Sequence, residues 1–281
     1  MAAAVAVITD STACLSPGLS ARYGILVVPL RVVAGGQAAD DGPSALSGAL
    51  GAELRRGARL STASPAPERF AAAYAAAANA GAGAVVSVHL SAGLSGTVNS
   101  ATLAAGTAPV PVRVVDSRSL GMGLGIAVLT AAEAAEAGGG PDDVAAAASV
   151  RSAGLRSFFV LDSLDRLSAG GRLDPGAAPP GGALTARPLL HLAGGRVEVL
   201  EKLRTPSAAV RRLEEVAAEF AAGKRVDLAV QYLGPAGPGA ALAERLERVI
   251  PGARHRYLAE ASPVIQVHTG PGMLGVVVAP Y

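Results

Sequence analysis

The sequence predicts an α/β protein of two domains, with an N-terminal parallel sheet covered by helices on both faces and a C-terminal mixed α+β domain. Three observations carry that prediction. The chain is 281 residues long and about half apolar, enough to bury a substantial core. Its first half alternates short apolar runs with longer Ala-rich stretches, the pattern of strands joined by helices. Its second half loses that alternation and carries a hairpin signal at Gly194-Gly195. The change of character places the boundary near residue 156, giving domains 1–156 and 157–281.

In the first half, apolar runs predict strands at 3–9, 25–33, 84–90 and 112–116. Helices are expected near 44–56, 66–80, 97–105, 121–137 and 142–152. Ser64-Pro65 fits an N-cap followed by a helix-opening proline, and Gly57 and Gly138 fit helix stops. On the 66–80 helix, Phe70, Tyr74 and Ala77 fall on one face. In the second half, 157–161 reads as a strand and 163–169 as a short helix ended by Gly170-Gly171, followed by a Pro/Gly-rich loop through Gly182. Residues 187–203 form the expected hairpin. Thr205-Pro206 then opens a helix with Val210, Leu213, Val216, Ala217 and Phe220 on its apolar face. A strand at 226–232, a helix at 239–249 and strands near 254–259 and 274–278 complete the chain.

Composition narrows the function. The net charge is only +2 and the cations are scattered, which disfavours nucleic acid as a partner. A single cysteine, Cys14, excludes an intrachain disulfide and a multi-cysteine metal site. No run of apolar residues reaches membrane-spanning length, and the opening residues 1–8 lack the basic flank of a signal peptide. They read as the first buried strand of a cytoplasmic protein.

The most informative stretch is "LSAGLSGTVNSA" at 90–101. It follows a buried strand and runs into a helix near Thr97. In an open parallel sheet that position is where ligands bind. Ser95 or Thr97 capping the helix is one reading. An anion site made of the Ser95 hydroxyl and backbone N–H groups, approached closely at Gly96, is another. A nucleophilic serine is a third: Gly93-Leu-Ser95-Gly-Thr97 is one glycine short of the hydrolase elbow, with Asp116 and His268 following in hydrolase order.

Other signals are weaker. Gly121-Met-Gly-Leu-Gly125 lacks the acidic partner of a dinucleotide site, and its glycines suit tight helix packing. His268, before a Gly-Pro-Gly turn, has no neighbours at metal-ligand spacing, and a structural hydrogen bond is its default role. His89, His191 and His255 lie on strand-like segments with no partner evident in the sequence. Arg172 follows two glycines in a loop and is available to an anion or a partner.

Seven segments, in order, resemble the DegV family of bacterial fatty-acid-binding proteins. They are "VITDSTACL" (7–15), "TASPAPERF" (62–70), "LSAGLSGTVNSA", "VVDSRSLGMGLG" (114–125), "LSAGGRL" (167–173), "RPLLHLAGGRVEVLEKLRT" (187–205) and "HTGPGMLG" (268–275). The resemblance spans essentially the whole chain. It implies two α/β domains with a long-chain fatty acid between them and the carboxylate held by Thr62, Ser95 and the Gly96 N–H, with His268 beside it. Arg172 would lie near the opening and, with His268, support phosphoryl transfer.

It further implies a lipid-binding subunit rather than an enzyme, with no cofactor. The partner would be a fatty-acid kinase related to dihydroxyacetone kinases, which makes an acyl phosphate for phospholipid synthesis. A transient contact with a membrane surface is compatible with that role. The competing reading remains a serine hydrolase of acyl esters using Ser95, Asp116 and His268. Cys14, Ser64, Ser262 and Gln266 depart from the family pattern, which has an acidic residue, a glutamine and two glycines at those positions.

Overall fold

The structure, a computed structural model, describes residues 4–42, 59–173 and 187–281. The expected helix at 44–56 with its stop at Gly57, and most of the loop leading to Gly182, lie outside the described residues. The chain forms two compact units, Met1–Ala153 with Ser262–Val264, and Gly154–Ala261 with Ile265–Tyr281.

The first unit is built on a parallel sheet of β1 (Val5–Asp10), β2 (Leu26–Val28), β6 (Ala84–His89) and β7 (Val112–Asp116), in the order β2-β1-β6-β7. All six residues of β6 are buried, as a central strand covered on both faces requires. Ile8 and Val85 point to one face. There they pack with Phe70, Tyr74 and Ala77 of α2 (Pro67–Asn79) and Ala101 and Ala104 of α3 (Thr97–Ala105). Val7, Val86 and Val88 have the opposite parity and are also buried, beneath α4 (Met122–Glu136). Gly125 explains how closely α4 approaches: a Cβ there would lie 2.6 Å from the Ala13 carbonyl oxygen. Gly125 thus serves packing, while Gly121 takes the positive φ of the helix entry. Helices α1 (Pro17–Arg22) and α5 (Pro141–Gly154) complete the unit, and Gly138 adopts the positive φ of a helix stop.

Two expectations need correction here. Residues 25–33 are not one strand. Pro29 lacks an amide N–H for a continuous ladder, and the Leu30 N–H donates instead to Ser11 Oγ at 3.0 Å. The chain therefore leaves the parallel sheet after β2. It enters a separate antiparallel sheet of β3 (Arg31–Ala34), β4 (Gln37–Asp40) and β5 (Ser61–Ala63), ordered β4-β3-β5. The second correction concerns Ser64-Pro65. Helix α2 starts two residues later, with Ala66 at the N-cap position, Pro67 in the first turn and no side-chain cap. Ser64 is thereby released from capping.

The second unit contains a mixed six-stranded sheet. Its strands are β8 (Arg156–Val160), β9 (Arg187–Ala193), β10 (Arg196–Leu203), β11 (Val226–Tyr232), β12 (Ala253–Glu260) and β13 (Leu274–Pro280), ordered β10-β9-β8-β13-β11-β12. Only the β11–β12 pair among them is parallel. The β9–β10 hairpin turns at Gly194 and Gly195, both at positive φ, as a tight right-twisted hairpin requires. Helix α6 (Asp165–Ala169) leads to Gly170 and Gly171. Thr205 caps α7 (Pro206–Ala221), its Oγ1 accepting the Ala208 N–H at 3.2 Å.

The buried side of α7 is Ala209, Leu213, Val216, Ala217 and Ala221, with Val210 and Phe220 at its margin. It packs with α8 (Ala236–Val249) over Phe158, Leu189, Leu228, Val230 and Val276. The sequence reading missed α9 (Pro263–Thr269), which carries His268, as it missed α1, β4 and β5 in the first unit.

Candidate functional site

The candidate site of the first unit starts where β6 ends. Asp10, at the end of the neighbouring β1, is fully buried and organises the strand ends. Its Oδ1 accepts the Thr12 N–H at 3.0 Å and the Thr12 hydroxyl at 2.5 Å. Its Oδ2 accepts the Leu90 N–H at 3.0 Å and lies 3.1 Å from His89 Nδ1. The His89 Nε2 is 2.7 Å from Ser87 Oγ, which in turn accepts the Tyr74 hydroxyl at 3.1 Å. The loop that begins at Leu90 is therefore fixed to the core by a satisfied polar network.

That loop runs through Ser91 to Gly96 and opens α3. Gly96 occupies the N-cap position and no side chain caps the helix, so neither Ser95 nor Thr97 is the capping residue. Instead the Ser95 hydroxyl lies 2.9 Å from Thr97 Oγ1 on one side and 2.9 Å from Ser64 Oγ on the other. Ser64 directly follows β5, which carries Thr62. A Cβ on Gly96 would stand 3.5 Å from Ser64 Oγ, an ordinary contact distance, so the Gly96 backbone lies directly beside the hydroxyls. The result is a string of three neutral hydroxyls at a helix N-terminus, near Thr62 in the chain. Hydroxyls can turn their O–H groups toward an anion, and the first-turn N–H groups of a helix lack intrahelical acceptors.

Ser64 and Thr97 were undervalued in the sequence. The Thr97 signal was its i+2 spacing from Ser95. Ser64 had no local signal, because its link to Ser95 crosses 31 positions.

Asp116, at the end of β7, is committed to backbone. Its Oδ1 accepts the N–H groups of Ala92 at 3.2 Å and Arg118 at 2.8 Å. Ser95's hydroxyl partners are Ser64 and Thr97, whereas an activated serine needs a base at hydrogen-bond distance.

In the second unit, the structure brings Arg172 and His268 together around Gly170. The Arg172 guanidinium donates to the Gly170 carbonyl. The His268 ring rests so close to Gly170 that a Cβ there would be 2.8 Å from Nδ1. Burial and the Arg172 charge lower the His268 pKa to about 4, so its imidazole is neutral at pH 7.

The other histidines all have partners, contrary to the sequence reading. Besides His89, His255 Nδ1 is 3.0 Å from Asp227 Oδ1, and His191 faces Glu198 across the hairpin at 3.7 Å. These contacts join positions distant in sequence or paired only through strand register. No group of three or more metal-ligating side chains forms among the described residues. Nor is any described helix long and apolar enough to cross a membrane.

Fold and site together define a two-unit α/β protein with uncharged donors gathered at the carboxyl end of a parallel sheet. Residues 4–281 match the family model described as "Uncharacterised protein, DegV family", and the chain belongs to that family. It is 48% identical over 275 residues to a DegV domain-containing protein of Streptomyces coelicolor, covering 98% of each chain. Among solved structures, a fatty-acid-binding DegV family protein from Thermus thermophilus superposes with a TM-score of 0.90 at 33% identity, covering 99% of this chain and 100% of that one. DegV from Bacillus subtilis, a fatty acid binding protein, gives 0.89 at 28% identity with full coverage of both chains.

Proposed function

We propose that this protein is a cytoplasmic carrier of a long-chain fatty acid and performs no chemistry of its own. Thr62, Ser95 and the Gly96 N–H bind the carboxylate, and the acyl chain is buried. The carboxylate is presented to a separate fatty-acid kinase, which forms the acyl phosphate. The observation that carries this reading is the neutral hydroxyl string Ser64–Ser95–Thr97 at the uncapped start of α3. Neutral donors hold a monoanion without a buried lysine, and burial of the chain adds about 0.8 kcal/mol per methylene before ordering costs. Fatty-acid binding by the Thermus and Bacillus relatives supports the choice of ligand.

His268 and Arg172 serve the transfer step. A neutral imidazole adds hydrogen bonding without a second fixed charge, while Arg172 supplies the cation. Oleate titration followed by calorimetry tests the carboxylate assignment. Ser95→Ala is expected to weaken binding about tenfold, the worth of one hydrogen bond to a charged group. Unchanged affinity in a folded variant would refute it.

A further inference from the structure

Arg118 lies in the loop after β7 and is exposed, yet its backbone is held at φ +49°, a left-handed conformation uncommon for arginine. Hydrogen bonds fix this loop to the Ser95 loop. The Ser91 N–H donates to the Ser119 carbonyl at 2.9 Å, and the Ser117 N–H to the His89 carbonyl at 3.0 Å. Ala92 and Arg118 both donate their N–H groups to Asp116 Oδ1, so their backbone nitrogens lie within about 6 Å of each other. No salt bridge to the Arg118 guanidinium forms among the described residues. A strained backbone position whose neighbours hold it in place is a recognised mark of function. Asp116, two residues before it, spends one carboxylate oxygen on the two N–H groups. The loop thus carries a permanent cation on backbone that is hydrogen-bonded to the loop bearing the hydroxyl string.

Neutral hydroxyls suit a carboxylate, but a phosphorylated carboxyl group carries up to two negative charges and a fork of oxygens that matches a guanidinium. We infer that Arg118 is the contact for the phosphoryl group of an acyl phosphate, so that the site distinguishes the phosphorylated product from the free acid. This inference rests on the carboxylate reading of Ser95 and Gly96 and adds a second, anionic subsite to it.

The test uses a stable analogue, a 2-oxoalkylphosphonate in which CH2 replaces the bridging oxygen, alongside the free acid of the same chain. Both are titrated by calorimetry into the intact protein and into Arg118→Ala and Arg118→Gly. The glycine variant accepts the left-handed backbone and so separates loss of the guanidinium from loss of loop geometry. Both variants are expected to bind the phosphonate at least tenfold more weakly while holding the free acid within twofold. Equal phosphonate affinity in the parent and in Arg118→Gly would overturn the inference while leaving the carrier reading intact. Failure of the parent to bind the free acid would instead overturn the carrier reading. Arg118-dependent binding of ATP, with no effect on the phosphonate, would assign the cation to the phosphoryl donor and also overturn the inference.

Discussion

Ser64 and Ser95, 31 positions apart, share a hydroxyl–hydroxyl hydrogen bond of 2.9 Å that joins the end of β5 to the loop after β6. Because Ser95 also meets Thr97, either hydroxyl can reorient without leaving the other stranded. Binding of an anion is expected to draw both O–H groups toward it. A double-mutant cycle with Ser64→Ala and Ser95→Ala should therefore show coupling of about 0.5–1.5 kcal/mol in fatty-acid affinity. Additive losses would mean that the two serines act separately.

The neutral state of His268 has a pH signature. Its pKa falls from an ordinary 6.5 to about 4 on folding, with burial the larger cause and Arg172 the smaller. Between those values the unfolded chain binds more protons than the folded one, so this residue makes stability fall as pH drops from 6.5 toward 4. Urea denaturation of the parent and His268→Gln across that range should show a shallower decline in the variant. Parallel curves would contradict the assignment.

Gly170 provides an independent handle on the same ring. A methyl group there would sit 2.8 Å from His268 Nδ1 and 3.1 Å from the Arg166 carbonyl, so Gly170→Ala must displace the imidazole. We expect the NMR titration of His268 in that variant to move upward toward 6.5 as the ring gains solvent. An unmoved titration would mean the pocket, rather than the glycine, fixes the ring.

The Asp10 side chain is the other buried polar group on which the site depends. Itself at 0% exposure, it holds Thr12, His89 and the Leu90 N–H. Removing it strands several buried donors, a loss of about 3–5 kcal/mol. Asp10→Ala should show that loss in urea denaturation, together with faster amide hydrogen exchange across residues 90–96. A variant as stable as the parent would show that the network adds nothing to the loop.

How far the sequence disclosed all this follows from the range of each interaction. The faces of α2 and the turn at Gly194-Gly195 were legible because they depend on periodicity and local backbone preference. The place of the Ser95 loop, between a strand end and a helix start, was legible because strand, small residues and helix follow one another. The break at Pro29 was misread because the seven apolar residues flanking it in 25–33 outweighed one missing N–H. The histidine partners and the role of Ser64 were invisible, since β1 must pair with β6 before Asp10 can meet His89. Helix α9 was missed although Pro263 offered an opening signal, because seven residues are too few for periodicity to show.

The most direct test of the central claim is native mass spectrometry of protein purified without detergent, followed by denaturation and analysis of the released small molecules. The account predicts one long-chain fatty acid per chain, retained by the parent and depleted in Ser95→Ala. A parent protein that carries no acid and takes up none when titrated with several chain lengths would contradict it.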